Sequence, residues 1–300
     1  MLLFSGRANE MLSRAVAVGL GIKPGRCTIE NFPDDEVRVQ VEEDVQGRDI
    51  YLLQPTCPPV AANLLELLLL ADACRRAGAR RLTGIISYYG YARQDRRSRS
   101  GEPVTARLMA DLLCTRLDRL MLMDLHNPAI EGIFSVPVEQ LSAVPLLAET
   151  LQPKISENHL LVAPDLGAVK IAQRYADRLG LPLAYVHKER QSGTKVTARH
   201  IIGEVEGRTP VIVDDMISTG GTVASAIKIL LEKGCRPEAT VVASHSLLVG
   251  QAVARLAELP VQLLLTTDSL PQPADRPFAV EVISLGNLFA ETVVRLSRSV

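Results

Sequence analysis

The sequence predicts an α/β fold of mainly parallel sheets flanked by helices, and three observations carry that expectation. Short apolar runs of strand length alternate with helical patterns along the whole chain. Several of those runs, such as residues 211–213, are apolar at every position, as strands covered on both faces are. Polar clusters follow the runs at their carboxyl ends, where open α/β sheets place ligands. The length, 300 residues, suits two domains of ordinary size.

The elements follow in order. Residues 50–53 form a strand, a proline-bearing polar break spans 54–59, and a helix over 63–77 closes at Gly78. A strand at 81–86 leads to a helix at 105–117. A further strand at 120–123 runs into Asp124-Leu125-His126. Prolines and polar residues accumulate between 142 and 156, so the domain boundary is expected there. Beyond it, a strand at 160–163 leads through Pro164-Asp165 to a helix at 169–179, and a strand at 184–186 leads to Lys188. The strand at 211–213 ends at Asp214-Asp215, and a helix at 222–233 closes at Gly234. Strands at 240–243 and 261–265 precede a terminal helix at 285–297.

Composition removes several function classes. Lys+Arg (33) and Asp+Glu (34) nearly cancel, so no global field favours nucleic acid or an anionic membrane. Trp is absent and aromatic residues make up 4%, too few for base-stacking platforms. The most apolar stretch, 64–73, carries Glu66 and Asp72 and is too short to span a bilayer. The five cysteines include no C-x-x-C pair, which points to reduced, mostly buried thiols in a cytoplasmic protein. His159, His187, His200 and His245 show no metal-ligand spacing and read as structural. Locally, Arg93, Arg96, Arg97 and Arg99 form a basic cluster able to bind a small anion.

The most informative segment lies between residues 211 and 222. An apolar strand, two adjacent carboxylates (Asp214, Asp215), a hydroxyl-glycine loop (Ser218-Thr219-Gly220-Gly221-Thr222) and a helix come in that order. Glycines let backbone N–H groups turn toward an anion, and the helix N-terminus adds partial positive charge. Paired acids would repel a phosphate, but suit ribose hydroxyls or a hydrated Mg²⁺. The bland alternative is an ordinary strand–turn–helix joint with a hydroxyl N-cap.

Val213-Asp-Asp-Met-Ile-Ser-Thr-Gly-Gly-Thr222 resembles the phosphoribosyl-binding signature shared by phosphoribosyltransferases and ribose-phosphate pyrophosphokinases. Four further segments, in order, resemble motifs of the pyrophosphokinases: 31–37 (NFPDDEV), 89–97 (YGYARQDRR), Asp124-Leu-His126 and Pro164-Asp-Leu-Gly167. The resemblance implies two phosphoribosyltransferase-like domains. The first, 1–145, would bind ATP, with a C-terminal helix of about 286–300 packed back on it; the second, 146–285, would bind ribose 5-phosphate. It also implies an enzyme that moves the diphosphoryl group of ATP to the 1-hydroxyl of ribose 5-phosphate, giving phosphoribosyl pyrophosphate and AMP for nucleotide biosynthesis. A phosphoribosyltransferase or a catalytically silent regulatory homologue are the competing readings.

By the same resemblance, Phe32, Asp34, Glu36, Arg93, Gln94 and His126 contact ATP. Asp214 and Asp215 face the ribose hydroxyls, and Ser218, Thr219, Gly220, Gly221 and Thr222 cradle the 5-phosphate. His126 and Asp165 serve Mg²⁺. Lys188 and Arg190, in a hydrophilic segment suited to a lid, are the catalytic pair. On chemistry alone, 32–36 reads as a solvated acidic turn, 93–97 as a solvated charge cluster and the lid as a charged hairpin. Family members commonly carry Gly where Asp35 stands. Ser218 replaces an Asp common in bacterial members and, with the lid residues, resembles the archaeal-type branch. Homo-oligomers built from dimers are implied as well.

Overall fold

The computed structural model describes residues 1–190, 197–273 and 275–298, with backbone alone for 188–190 and 197–199. The chain divides into two compact units. Unit 1 comprises Met1–Ser142, Asp268–Pro271 and the stretch beginning at Ser284; unit 2 comprises Ala143–Thr267 and Gln272–Ile283.

Unit 1 begins with β1 (Leu2–Ser5), α1 (Glu10–Leu20), β2 (Cys27–Asn31), β3 (Val37–Val41) and β4 (Asp49–Leu53). It continues with α2 (Val60–Arg76), β5 (Arg81–Ile86), α3 (Thr105–Cys114), β6 (Arg119–Met123) and β7 (Val138–Leu141). Its main sheet has the order β1-β4-β5-β6-β7, with every neighbouring pair parallel. Helix α2 turns Leu64, Leu67, Leu70, Ala71 and Cys74 to one side, a three-and-four spacing that makes a single stripe. That stripe shares a core with Ile50, Leu52, Leu82, Ile86, Leu120 and Leu122. Each such leucine, fully buried, stabilises the fold by about 1.5–3 kcal/mol before chain entropy is set against it.

Strands β2 and β3 form a separate antiparallel hairpin. Val37, Val39 and Val41 are half-buried while Arg38 and Gln40 are exposed, the two-residue alternation of a sheet with one wet face. Arg38 meets Glu30, its register partner, at 3.0 Å across the hairpin.

Unit 2 contains α4 (Val144–Leu151), β8 (His159–Ala163), α5 (Val169–Leu179), β9 (Leu183–Arg190), β10 (Thr197–Ile202) and β11 (Thr209–Ile217). These are followed by α6 (Gly221–Glu232), β12 (Ala239–Ser246), α7 (Ala252–Ala257), β13 (Val261–Thr267) and β14 (Ala279–Ile283). The strand order is β10-β9-β8-β11-β12-β13-β14; only β10 runs antiparallel to its neighbour. Val223, Ile227 and Leu230 of α6 cluster with Ile212, Val241 and Leu264 of the sheet. Helix α8 (Gly286–Arg298) returns to unit 1 and packs against α1.

Two expectations change. Strand β11 does not stop at residue 213; it continues through Asp214 and Asp215 to Ile217, because β12 keeps pairing with it as far as Ile217 and Ser246. Residues 186–190, read as the start of a loop-like lid, are the end of β9, paired with β10.

Candidate functional site

The loop expected to bind phosphate joins strand β11 to helix α6. Buried β11 carries Asp214 in register with Ala243 and delivers the chain to Ser218 at the carboxyl edge of the sheet. Gly220 then turns it into α6 with φ +70°, a left-handed conformation that costs an L-residue about 1–2 kcal/mol. The N-terminus of α6 has no side-chain cap, so its first N–H groups keep their hydrogen-bonding capacity. Thr219 is exposed at the apex, while Ser218 and Thr222 are half-buried. All seven residues expected at this site, 214–215 and 218–222, fall on one continuous strand–turn–helix segment.

The acids beside the loop are electrostatically linked. The amide of Asp215 donates to Asp214 Oδ1 at 2.9 Å. Burial, then the neighbouring Asp215, then Asp165 push the Asp214 carboxyl well above its ordinary 3.8. Asp165 reaches this neighbourhood because β8 pairs with β11, and the loop after β8 therefore follows the same sheet edge. One of its oxygens, Oδ1, accepts from the amides of Gly167 and Ala168 at 2.9 and 3.3 Å, holding the turn into α5. The other oxygen has no protein donor among the described residues.

Unit 1 brings a second set of expected residues together. Strands β5 and β6 are neighbours, so the loops after them, which carry Arg93-Gln94 and His126, leave one sheet edge side by side. Asn127 Nδ2 donates to Asp95 Oδ2 at 2.9 Å and ties those loops together. Gln94 is fixed at the entrance to α3: its side-chain oxygen accepts from Thr105 Oγ1 at 2.7 Å and its carbonyl from Ala106 at 3.2 Å. Gly90 starts the first loop where no Cβ fits, since the carbonyl oxygen of Thr56 lies against that side of the backbone. Arg93, Arg96, Arg97 and Arg99 are exposed and have no ion-pair partner among the described residues. His126 is exposed, whereas Asp124 is buried and accepts from Ser142 Oγ at 2.7 Å.

Phe32, Asp34 and Glu36 occupy the tip of the β2–β3 hairpin. Phe32 is 46% exposed. The tip is closed by Phe32 N–H to Glu36 O at 2.8 Å and Asp35 N–H to Phe32 O at 3.0 Å. Asp35 takes φ +67°, a conformation Asp tolerates better than most residues. No hydrogen bond or ion pair joins this tip to Arg93 or Gln94 among the described residues. The Lys188 and Arg190 backbones end β9, but their side chains lie outside the described residues, as do residues 191–196 of the expected lid.

Sequence reasoning missed the supports. Asn127 and Asp95 carry no motif of their own, and neither does Arg255, whose Nη1 donates to the carbonyl of Thr219 from α7. Among the described residues no group of three or more His, Cys, Asp or Glu is placed to hold a metal by itself. None of the helices among those residues is long and apolar enough to cross a membrane.

A family model described as the N-terminal domain of ribose phosphate pyrophosphokinase matches residues 1–116, and a phosphoribosyl transferase domain model matches 140–264. A ribose-phosphate pyrophosphokinase of Gloeobacter violaceus is 41% identical over 297 residues, covering 98% of this chain and 89% of that protein. The Staphylococcus aureus protein of the same name is 39% identical over 299 residues, covering 98% and 93%. A crystal structure of phosphoribosylpyrophosphate synthetase from Mycobacterium smegmatis superposes with a TM-score of 0.94 at 37% identity, covering 100% of this chain and 99% of that one.

Proposed function

The chain belongs to the ribose-phosphate pyrophosphokinase family, and from that premise we propose how its residues make phosphoribosyl pyrophosphate. The observation that carries the reading is a combination within one chain. A hydroxyl-glycine loop with paired acids, leading into a helix with no side-chain cap, sits in unit 2, and a cluster of arginines without an ion-pair partner among the described residues sits at a parallel-sheet edge in unit 1. The first suits a ribose 5-phosphate, and the second suits the polyphosphate of ATP.

In this reading the N–H groups and hydroxyls of 218–222 hold the 5-phosphate. Asp214 and Asp215 orient the ribose hydroxyls, and burial with the neighbouring carboxylates raises the proton affinity of Asp214. Phe32, Asp34 and Glu36 receive adenine, while Arg93, Gln94 and His126 hold the phosphates. The 1-hydroxyl oxygen of ribose 5-phosphate attacks the β-phosphorus of ATP. A new P–O bond forms, the bond from that phosphorus to the α–β bridging oxygen breaks, and AMP leaves with the bridging oxygen. The hydroxyl proton is released to solvent. Lys188 and Arg190 neutralise charge on the diphosphoryl group as it moves, so catalysis rests on positioning and electrostatics without a covalent enzyme intermediate.

The donors present suit two Mg²⁺ ions. His126, exposed in unit 1, would serve one beside the ATP phosphates, and Asp165 in unit 2, whose second oxygen has no protein donor among the described residues, would serve another near the ribose; water and substrate oxygens would complete each shell. When bound, the ions would neutralise phosphate charge. Self-association into dimer-based oligomers and a cytoplasmic metabolic role belong to the same reading. AMP release that requires both ATP and ribose 5-phosphate is the expected result in an assay of the full chain; ADP release would overturn it.

A further inference from the structure

Thr219, at the apex of the phosphate loop, has its carbonyl held by Arg255 Nη1. The flanking carbonyls are held as well. Ile217 O accepts from Leu248 N at 3.1 Å, Ser218 O from Val249 N at 3.0 Å, and Gly220 O from Ala224 N at 2.9 Å. A peptide unit is planar and trans, so its N–H points opposite to its C=O. Tying four successive carbonyls to donors of the β12–α7 connection, α7 and α6 therefore turns the N–H groups of Ser218, Thr219, Gly220 and Gly221 away from those donors. The α6 N-terminus that follows has no side-chain cap. The loop is thus supported on its carbonyl side and left open on its N–H side, the arrangement of an anion nest.

Three of the four carbonyls are held by backbone amides, which the fold supplies whatever the side chains. Thr219 alone depends on a side chain, and that side chain is cationic. Arg255 has no carboxylate partner among the described residues, so its charge is uncompensated beside the loop. Its Nη1 would lie 3.9 Å from a Cβ placed on Gly221.

We propose that Arg255 is a positioning residue for the sugar phosphate: by holding the Thr219 carbonyl it fixes the Gly220 amide toward the ligand and adds positive charge behind the loop. The proposal rests on the reading of 218–222 as the ribose 5-phosphate cradle. Arg255 acts through the Thr219–Gly220 peptide, not on the reacting atoms.

Isothermal titration of the full chain with ribose 5-phosphate and, separately, with ATP tests it in wild type, Arg255→Met and Arg255→Lys. Arg255→Met should weaken ribose 5-phosphate by about 10- to 100-fold, the scale of one lost charge-assisted hydrogen bond, and leave ATP affinity unchanged. Arg255→Lys should recover part of that loss. Wild-type affinity in Arg255→Met, or equal weakening of both ligands, overturns the proposal. A wild-type chain that binds ribose 5-phosphate yet releases ADP would overturn the proposed reaction and leave the role of Arg255 standing. A wild-type chain that does not bind ribose 5-phosphate overturns both.

Discussion

The Asn127 side-chain amide donates to the Asp95 carboxylate across 2.9 Å, joining the loop that follows β5 to the loop that follows β6. The bond links the segment that carries Arg93-Gln94 to the one that carries His126, although 32 residues separate the bonded pair in sequence.

Asn127→Ala is therefore expected to raise the KM for ATP by about 10-fold, as the loss of one hydrogen bond to a charged group would, with the KM for ribose 5-phosphate unchanged. The exchange Asp95→Asn with Asn127→Asp keeps an amide facing a carboxylate. It also keeps the side-chain oxygen that accepts from Ala129. Steady-state kinetics should show the exchange closer to wild type than either single change. An exchange no better than the worse single variant would show that the pair does not act as a unit.

The environment of Asp214 makes stability depend on pH. Burial and the facing carboxylates raise its folded pKa above 3.8, so the folded chain holds a proton that the unfolded chain has released. Its contribution to unfolding free energy therefore falls as pH rises from about 3.8 through the folded pKa, and the loss is complete above it. Asp214→Asn removes that penalty. Thermal melts should show the variant melting above wild type at pH 8 and the two converging near pH 4. A variant that melts below wild type at pH 8 would contradict the assignment.

Lys188 is predicted to act on the transferring group. Lys188→Ala should lower kcat by about 100-fold, the scale of removing one charge-stabilising donor, while ribose 5-phosphate binding measured by titration stays unchanged. Parallel losses in both measurements would assign Lys188 to binding, and no loss in either would remove it from the mechanism.

Much of this was legible in sequence because the signals are local. The α2 stripe at 64, 67, 71 and 74 and the apolar run of β11 announce their elements directly. The strand–turn–helix joint at 218–222 was legible for the same reason, since a left-handed turn next to a strand and a helix calls for Gly at 220. The end of β11 was not, because Asp214 and Asp215 interrupt the apolar pattern while pairing with β12 continues beneath them. The alternation Val37, Val39, Val41 signalled the β2–β3 hairpin and was overshadowed by the acidic tip. Asp35 takes a left-handed φ of +67° that the acidic run around it gave no sign of. Arg255 and Asn127 could not have been found by pattern. Each is a single polar residue whose role exists only once the fold sets it against Thr219 or Asp95.

In the proposed reaction the diphosphoryl group of ATP moves as one unit to the 1-hydroxyl of ribose 5-phosphate. Phosphorus NMR of the full chain with ATP, Mg²⁺ and ribose 5-phosphate tests it most directly. AMP and phosphoribosyl pyrophosphate are expected to appear in equal amounts as ATP disappears, and neither should form when ribose 5-phosphate is omitted. Accumulation of ADP with a singly phosphorylated 1-position, or of AMP with free pyrophosphate, would contradict it.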